Sequence, residues 1–382
     1  MALRTYKYRI YPTPSQQRAL VNILNQCRWV YNNTLEFRKQ EYEEHQRTHS
    51  AFDTIKRLPS LKQERPELKQ VHSQVLQDVC RRLDKGFQAF FRRLRTGEKP
   101  GYPRFKSYRR YHSFTFPQSG FAVKDDKYLQ LSKVGKVRII LHRPLPEDIK
   151  TLTIKRTPAG KFYASFAVDV PAERAPCSEK ETGIDVGLTH FATFSDGLKI
   201  NNPRFLRKLQ SQLAKEQRKL SALEDRSSKL YKKQRTKVAR VHEKIRNQRS
   251  DFTHKLSRQI INRYKIIAVE DLNVRSMMES GERWVKSIAD AAWSQLLAQL
   301  EYKAASAGRI LVQVDPRGTS QRCHRCQTYV PKDLSVRVHD CPRCHLSIDR
   351  DINSAREILR LGHQSLKEQR SAPLSLSRGP GL

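Results

Sequence analysis

Residues 183–197 read GIDVGLTHFATFSDG. Ile184 and Val186 flank Asp185 in a short apolar strand, where a carboxylate is costly to bury unless something pairs with it. The Ser-Asp-Gly that closes the stretch predicts a hairpin. Downstream, KIIAVEDL (265–272) reads as a buried strand closing on Glu270 and RILVQVDP (309–316) as another. DINSAREILRL (351–361) opens an amphipathic helix with Asp351 at its amino end. Strands alternating with helices predict an α/β sheet. Carboxylates at strand ends and a helix start can converge on one sheet edge. There they can hold two divalent cations roughly 4 Å apart, one to activate an attacking water and one to stabilise the leaving oxygen of a phosphodiester. Hard oxygen ligands suit Mg2+, with Mn2+ an alternative. Asp271 should point away from Glu270, since strand neighbours face opposite sides. Asp351 could equally be a helix-cap acid, or Asp349 or Asn353 could cap the helix while Asp351 binds metal.

Working outward, residues 203–264 predict a helical hairpin. One stripe is Leu206, Leu209, Leu213, Leu220 and Leu223; the other is Val238, Val241, Ile245, Phe252 and Leu256, with EDRSS as the turn. The hairpin carries 19 Lys and Arg against 5 acids, which makes it a rail for nucleic acid. A further helix is expected around 288–307. Of 7 cysteines, 4 form two CxxC knuckles, Cys323/Cys326 and Cys341/Cys344, separated by 14 residues. That spacing aims four thiolates at one structural Zn2+. Cys27, Cys80 and Cys177 are scattered and read as packing residues.

The first half opens with alternation over Tyr6–Tyr11 and a Pro-Thr-Pro turn, followed by helical patterning from Ala19 to Tyr31 and again over 73–94. A basic Pro/Gly loop, GEKPGYPRFK, spans 97–106. Residues 113–170 then read as strands, with a hairpin turning at Gly160. The expected architecture is multidomain, α/β plus β. A β-barrel (1–14 and 113–180) is interrupted by a helical domain (15–112) and followed by an α/β domain (181–319 and 347–361). The α/β domain contains the hairpin, a zinc-ribbon insertion (320–346) and a disordered tail (362–382).

The 382 residues include 74 Lys and Arg against 38 Asp and Glu, a formal charge of +36. Such an excess implies a large polyanionic partner, and its spread along the chain argues against a membrane anchor. No stretch has the roughly 18 apolar residues of a span, and no signal-peptide core opens the chain, so a reduced, cytoplasmic setting is expected.

Taken together, YKYRIYPTPSQ (6–16), CRWVYNNTLEFR (27–38), GEKPGYPRFKS (97–107), GIDVGLTHFAT, VEDLNV (269–274), TSQRCHRC (319–326) and DRDINSA (349–355) resemble the TnpB family. These are transposon-encoded RNA-guided nucleases related to type V CRISPR effectors. The resemblance implies an RNase H-like (RuvC) nuclease domain with Asp185, Glu270 and Asp351 as catalytic Mg2+ ligands. It also implies a wedge-type β-barrel interrupted by a recognition helical domain, and a zinc-binding insert. The implied activity is cleavage of double-stranded DNA beside a short transposon-adjacent motif, guided by an RNA from the transposon end. Gln74 and Gln77 are candidates for base contacts, and Arg104 and Lys106 for nucleic-acid contacts from the basic loop. Gln327 and His345 stand where the family commonly has Gly. Rival readings are a cut-and-paste transposase, whose acids would run Asp–Asp–Glu, and a single-strand transposase, which needs a His-x-His pair this chain lacks. Two more remain: a non-catalytic RNA-guided DNA binder, which would be expected to lose triad acids, and a structure-selective resolvase, which would need no RNA.

Overall fold

The computed structural model describes residues 2–170, 179–279, 285–333 and 335–371. It divides into two units, Met1–Pro171 and Ala172–Leu382.

In the first unit the alternating residues belong to a longer strand, β1 (Ala2–Tyr11), which buries Tyr8 and Ile10. The Pro-Thr-Pro turn then starts helix α1 (Pro14–His45). The Thr13 side chain accepts the Gln16 N–H while the Gln16 side chain accepts the Thr13 N–H, so two otherwise orphaned donors are satisfied reciprocally. Short helices α2 (Ala51–Lys56) and α3 (Leu58–Glu64) lead to α4 (Ser73–Arg95). Six strands follow: β2 (Ser113–Phe116), β3 (Phe121–Lys124), β4 (Tyr128–Leu131), β5 (Gly135–Ile140), β6 (Ile149–Arg156) and β7 (Phe162–Val170). They form one seven-stranded sheet in the order β2-β6-β7-β1-β5-β4-β3. The edge strands β2 and β3 are consecutive in the chain, and the Phe116 and Phe121 rings sit 6.1 Å apart, so the sheet is a nearly closed barrel. Gly160 makes the β6–β7 turn at φ +82°, a backbone conformation suited to glycine.

Alternate residues of β7 are buried, and they share one core with the helices: Leu20, Val30, Leu76 and Leu83 pack in the same cluster as Phe114 and Phe166. The barrel and the helical insertion are therefore one hydrophobic unit and not two separately cored domains. Cys27 and Cys80 are buried in that core, as packing residues should be; Cys177 lies outside the described residues.

The second unit contains a five-stranded sheet in the order β10-β9-β8-β11-β12, built from β8 (Glu181–Asp185), β9 (His190–Phe194), β10 (Lys199–Asn201), β11 (Ile266–Glu270) and β12 (Ile310–Val314). Strands β8, β11 and β12 run parallel, and β9 is antiparallel to both of its neighbours, β8 and β10. Between β10 and β11 lie α5 (Phe205–Ser221) and α6 (Lys229–Arg263), the expected hairpin. Its small core joins Leu213 to Val238, Val241 and Ile245, but Phe252 and Leu256 pack with the main core instead. After β11 come α7 (Val274–Glu279), α8 (Val285–Ala291) and α9 (Trp293–Ala307). The single helix expected over 288–307 is thus two, broken at Ala292, whose φ of 60° turns the chain so that both Ile288 and Trp293 reach one core. Strands β13 (Val338–Asp340) and β14 (Ser347–Asp349) form a small ribbon, and α10 (Arg350–Ser371) closes the unit.

Helix α10 lies directly on the parallel strands. A Cβ on Gly183 would meet the Ala355 carbonyl oxygen at 1.9 Å, and one on Gly362 would meet Ala268 Cβ at 2.7 Å. The disordered tail expected from residue 362 is corrected here, since α10 continues to Ser371. Gly362 is a close-approach glycine inside the helix, and Leu366 beyond it packs against the cluster containing Val312 and Ile358. Residues 372–382 lie outside the described residues.

Candidate active site and cysteine cluster

Parallel pairing sets Val269 beside Ile184, so Asp185 and Glu270, each the last residue of its strand, emerge at the same carboxyl edge. Asp351 arrives at the start of α10, which packs on β8 and β11. The open edge of an α/β sheet beyond its strand ends is where such folds place ligands. All three carboxylates are half-buried. Burial and the charges of Glu270 and Asp351 hold the Asp185 carboxyl well above its usual range. Burial also raises Glu270, opposed by the Thr319 hydroxyl, which donates to Glu270 Oε1 at 2.6 Å. A cluster of carboxylates that resists ionisation is relieved by a cation, and the donor set is all hard oxygen.

The capping question resolves by geometry. Asp349 Oδ1 accepts the N–H groups of Asp351 and Ile352 at 3.0 and 3.1 Å, so Asp349 caps α10. Its Oδ2 takes Lys199 Nζ at 2.7 Å. Burial alone would raise Asp349, but that ammonium and the two N–H groups hold it below the ordinary carboxylate value. Asp351 lies outside the cap, and the adjacent Arg350 guanidinium donates to its Oδ1 at 3.0 and 3.1 Å. Asp271 is exposed, as expected of the residue facing away from Glu270.

The four knuckle cysteines come together. Their sulfurs all lie within 4.8 Å of one another, with Cys323–Cys344 at 3.7 Å and Cys326–Cys341 at 3.4 Å. Four sulfurs at about 2.3 Å from one tetrahedral ion stand about 3.8 Å apart, whereas a disulfide needs about 2 Å. Hydrogen bonding to Thr328 pulls the Cys326 thiol down to about 6, while burial pushes Cys344 up to about 12. Both residues that replace a glycine sit at positive φ, Gln327 at 65° and His345 at 55°. Gln327 is held there by its side chain, which donates to the Cys323 and His324 carbonyls and to Glu357.

Asn353, which sequence reasoning left as a possible cap, is buried and does something else. Its Oδ1 accepts the His324 N–H at 3.1 Å and its Nδ2 donates to the Arg322 carbonyl at 2.8 Å. It therefore ties the first knuckle to the helix that carries Asp351. Thr319 and Asn353 were missed as site residues, although both lie within motifs already noted, TSQRCHRC and DRDINSA. Beside the β8–β9 loop opens a cleft of about 760 Å³ whose lining includes Thr189, Arg204, Arg207, His242, Lys286 and Arg337.

The remaining candidates lie in the first unit. Gln74 is committed internally: its carbonyl accepts from Ser119 N–H and Oγ, and its amide donates to Gln118. Gln77 is half-buried on the same helix, and among the described residues no hydrogen bond holds its side chain. Arg104 is exposed, and Lys106 Nζ sits 5.7 Å from the centre of the Tyr31 ring.

Comparison with known proteins gives three family matches: "Helix-turn-helix domain" over residues 1–47, "Probable transposase" over 165–281, and "Cas12f1-like, TNB domain" over 293–358. A Streptomyces pristinaespiralis protein named "Putative RNA-guided DNA endonuclease" is 36% identical over 366 residues, covering 94% of this chain and 89% of the relative. The chain belongs to the TnpB family. InsQ of Escherichia coli K12, also named "Putative RNA-guided DNA endonuclease", is 29% identical and covers 95% of this chain and 93% of its own. The fold is shared with a mini-RNA-guided endonuclease, CRISPR-Cas_phi3, at a TM-score of 0.51 and 9% identity over 94% of this chain and 92% of that one. The "Helix-turn-helix" span is here a strand and one unbroken helix, β1 and α1. Among the described residues no helix is long and apolar enough to cross a membrane.

Proposed function

We propose that this TnpB family member is an RNA-guided endonuclease that cuts double-stranded DNA at a RuvC-type, RNase H-like site. The convergence of Asp185, Glu270 and Asp351 at the carboxyl edge of β8 and β11, in a chain of charge +36, is the observation that carries the reading. Those three carboxylates would hold two Mg2+ ions. Bound there, divalent cations supply a water that is nucleophilic at neutral pH and charge compensation for the leaving oxygen.

This chain's own residues prepare that place. Thr319 fixes the Glu270 rotamer. Asp349 takes the capping role, which leaves the Asp351 carboxylate outside the cap, and Lys199 anchors Asp349. The Arg350 charge lowers the cost of ionising Asp185. The Arg- and Lys-lined cleft next to the β8–β9 loop suits the phosphates of a substrate strand. The cysteine cluster would hold one structural Zn2+ as a ribbon, with Asn353 transmitting its rigidity to α10.

In this reading an RNA from the transposon end reads the target by base pairing, and the protein reads a short adjacent motif and grips backbones. Gln77, with its amide uncommitted, is a better candidate for a base-edge contact than Gln74; Arg104 and Lys106 suit phosphates.

The test is to purify the protein expressed with its native locus, sequence the RNA it carries, and challenge the complex with a plasmid library containing the matched target. A defined RNA and guide-dependent, Mg2+-dependent cutting are expected. A defined RNA without cutting would indicate a guided binder, and cutting that ignores RNA would indicate a resolvase.

A further inference from the structure

We propose that residues 91–110 form a platform on which the unpaired bases of single-stranded nucleic acid stack. Four aromatic side chains lie open to solvent in this short stretch: Phe91 (46% exposed), Tyr102 (45%), Phe105 (53%) and Tyr108 (49%). Isolated exposed aromatics are ordinary on protein surfaces; four within one short stretch dominated by one sign of charge are not. The same 20 residues carry 8 Lys and Arg and a single acid, Glu98, which Arg93 already neighbours at 3.8 Å.

The platform is preorganised. The last turns of α4 present Phe90 and Phe91, and the loop folds back so that Tyr102 meets Phe87 and Phe90 edge-on at 5.5 and 5.3 Å. Both backbone groups of Lys106 are held by the Asn32 side chain, its carbonyl accepting at 2.8 Å and its amide donating at 3.1 Å. Arg156 donates to the Tyr108 hydroxyl at 3.3 Å. Phe105 and Tyr108 therefore stay exposed on a fixed backbone, so little ordering is left for a ligand to impose.

The chemistry selects the occupant. Bases offer flat faces for aromatic rings, and the strand between them offers phosphates for Arg92, Arg95, Lys99, Arg104, Arg109 and Arg110. A duplex hides its base faces, so the preference is for single strands, whether RNA or DNA. A protein partner would leave this excess of positive charge uncompensated. The inference extends the nucleic-acid reading above but needs no nuclease activity.

The test compares the full-length protein with a Phe91→Ala/Phe105→Ala/Tyr108→Ala variant by fluorescence anisotropy. The probes are a 12-mer of uridylate, a 12-mer of thymidylate, an abasic 12-mer with the same phosphates, and a duplex. The variant should melt with the parent and lose about tenfold or more in affinity for base-bearing single strands, since the substitutions remove the rings on which bases stack. It should bind the abasic strand and the duplex as the parent does. The uridylate and thymidylate arms tell an RNA occupant from a DNA one. Equal loss on the abasic strand, or no loss on any strand, would overturn the platform. So would wild-type self-association that the variant abolishes while strand affinity stays unchanged. Guided cleavage measured on the wild type alone tests the nuclease reading separately: base-dependent binding without cutting leaves the platform standing.

Discussion

The cysteine cluster and the carboxylate triad occupy the same unit and are joined through Asn353, yet they are built on opposite plans. The four sulfurs already stand at distances a tetrahedral ion requires, because each pair is aimed by a tight local turn and the partners are soft and close. The three acids come from two strand ends and a helix start. Among the described residues, the cysteines are the only group of three or more potential ligands to close within 4.8 Å. Burial and the neighbouring carboxylate charges make Asp185 reluctant to ionise. The cysteine cluster is closed by the polypeptide; the carboxylates are left strained, and in the proposed reading cations and substrate would complete them. The lesson is that local turns can preassemble a ligand cluster, whereas carboxylates brought together from distant strand ends are held at a cost in stability.

The largest expected effect separates the two sites by function. Asp185→Ala should reduce guided cleavage by more than about a hundredfold, equivalent to roughly 3 kcal/mol or more of barrier, while sparing RNA and target binding. Gel-resolved cleavage and filter binding on the same preparation check this; residual cutting near the parent rate would place the chemistry elsewhere.

Next in size, Cys323→Ser should lower zinc content and destabilise the second unit by several kcal/mol, since structural zinc binding is folding free energy. Zinc analysis with thermal melting reads it out, and an unchanged zinc content would count against the ribbon.

Gly183→Ala sharpens the comparison from the packing side. Its Cβ would fall 1.9 Å from the Ala355 carbonyl oxygen, so β8 and α10 must separate, at a cost of about 1–3 kcal/mol or more. Cleavage should fall with stability while zinc stays bound; a variant that melts and cuts like the parent would refute the tight contact.

The smallest effect has the opposite sign. A carboxyl raised in the folded state weakens that state once it ionises: the penalty is absent below the ordinary carboxylate range and grows as pH rises toward and through the raised value. Without divalent cations at neutral pH, Asp185→Asn should therefore melt higher than the parent, by on the order of a few degrees. The gap should close at pH 4, or when Mg2+ is added to the parent. A variant that melts lower at neutral pH would show that Asp185 is not strained.

How much of this was legible in the sequence follows from the range of each interaction. CxxC spacing is local and names its own geometry, so the four cysteines were readable. The placement of Asp185 and Glu270 at strand ends was readable because the apolar runs before them mark the strands. Thr319 was not, because its bond to Glu270 spans 49 residues and exists only once β11 and the loop after β12 are in place. Asn353 sits where a cap residue would, and only the folded knuckle reveals its partners. The polar stretch from residue 362 read as a disordered tail, but Gly362 serves close packing and α10 runs ten residues further. Likewise nothing in the sequence around Ala292 signalled a left-handed residue between two helices.

The most direct test of the two-plan account counts both kinds of metal in one experiment. Zinc would be quantified by atomic emission and bound Mn2+ by electron paramagnetic resonance, in wild-type and Asp185→Ala complexes loaded with guide RNA and target. The account predicts one zinc per chain in both complexes, with manganese bound at the acidic site in the wild type and lost, together with cleavage, in the variant. Manganese binding and cleavage that both survive Asp185→Ala would contradict it.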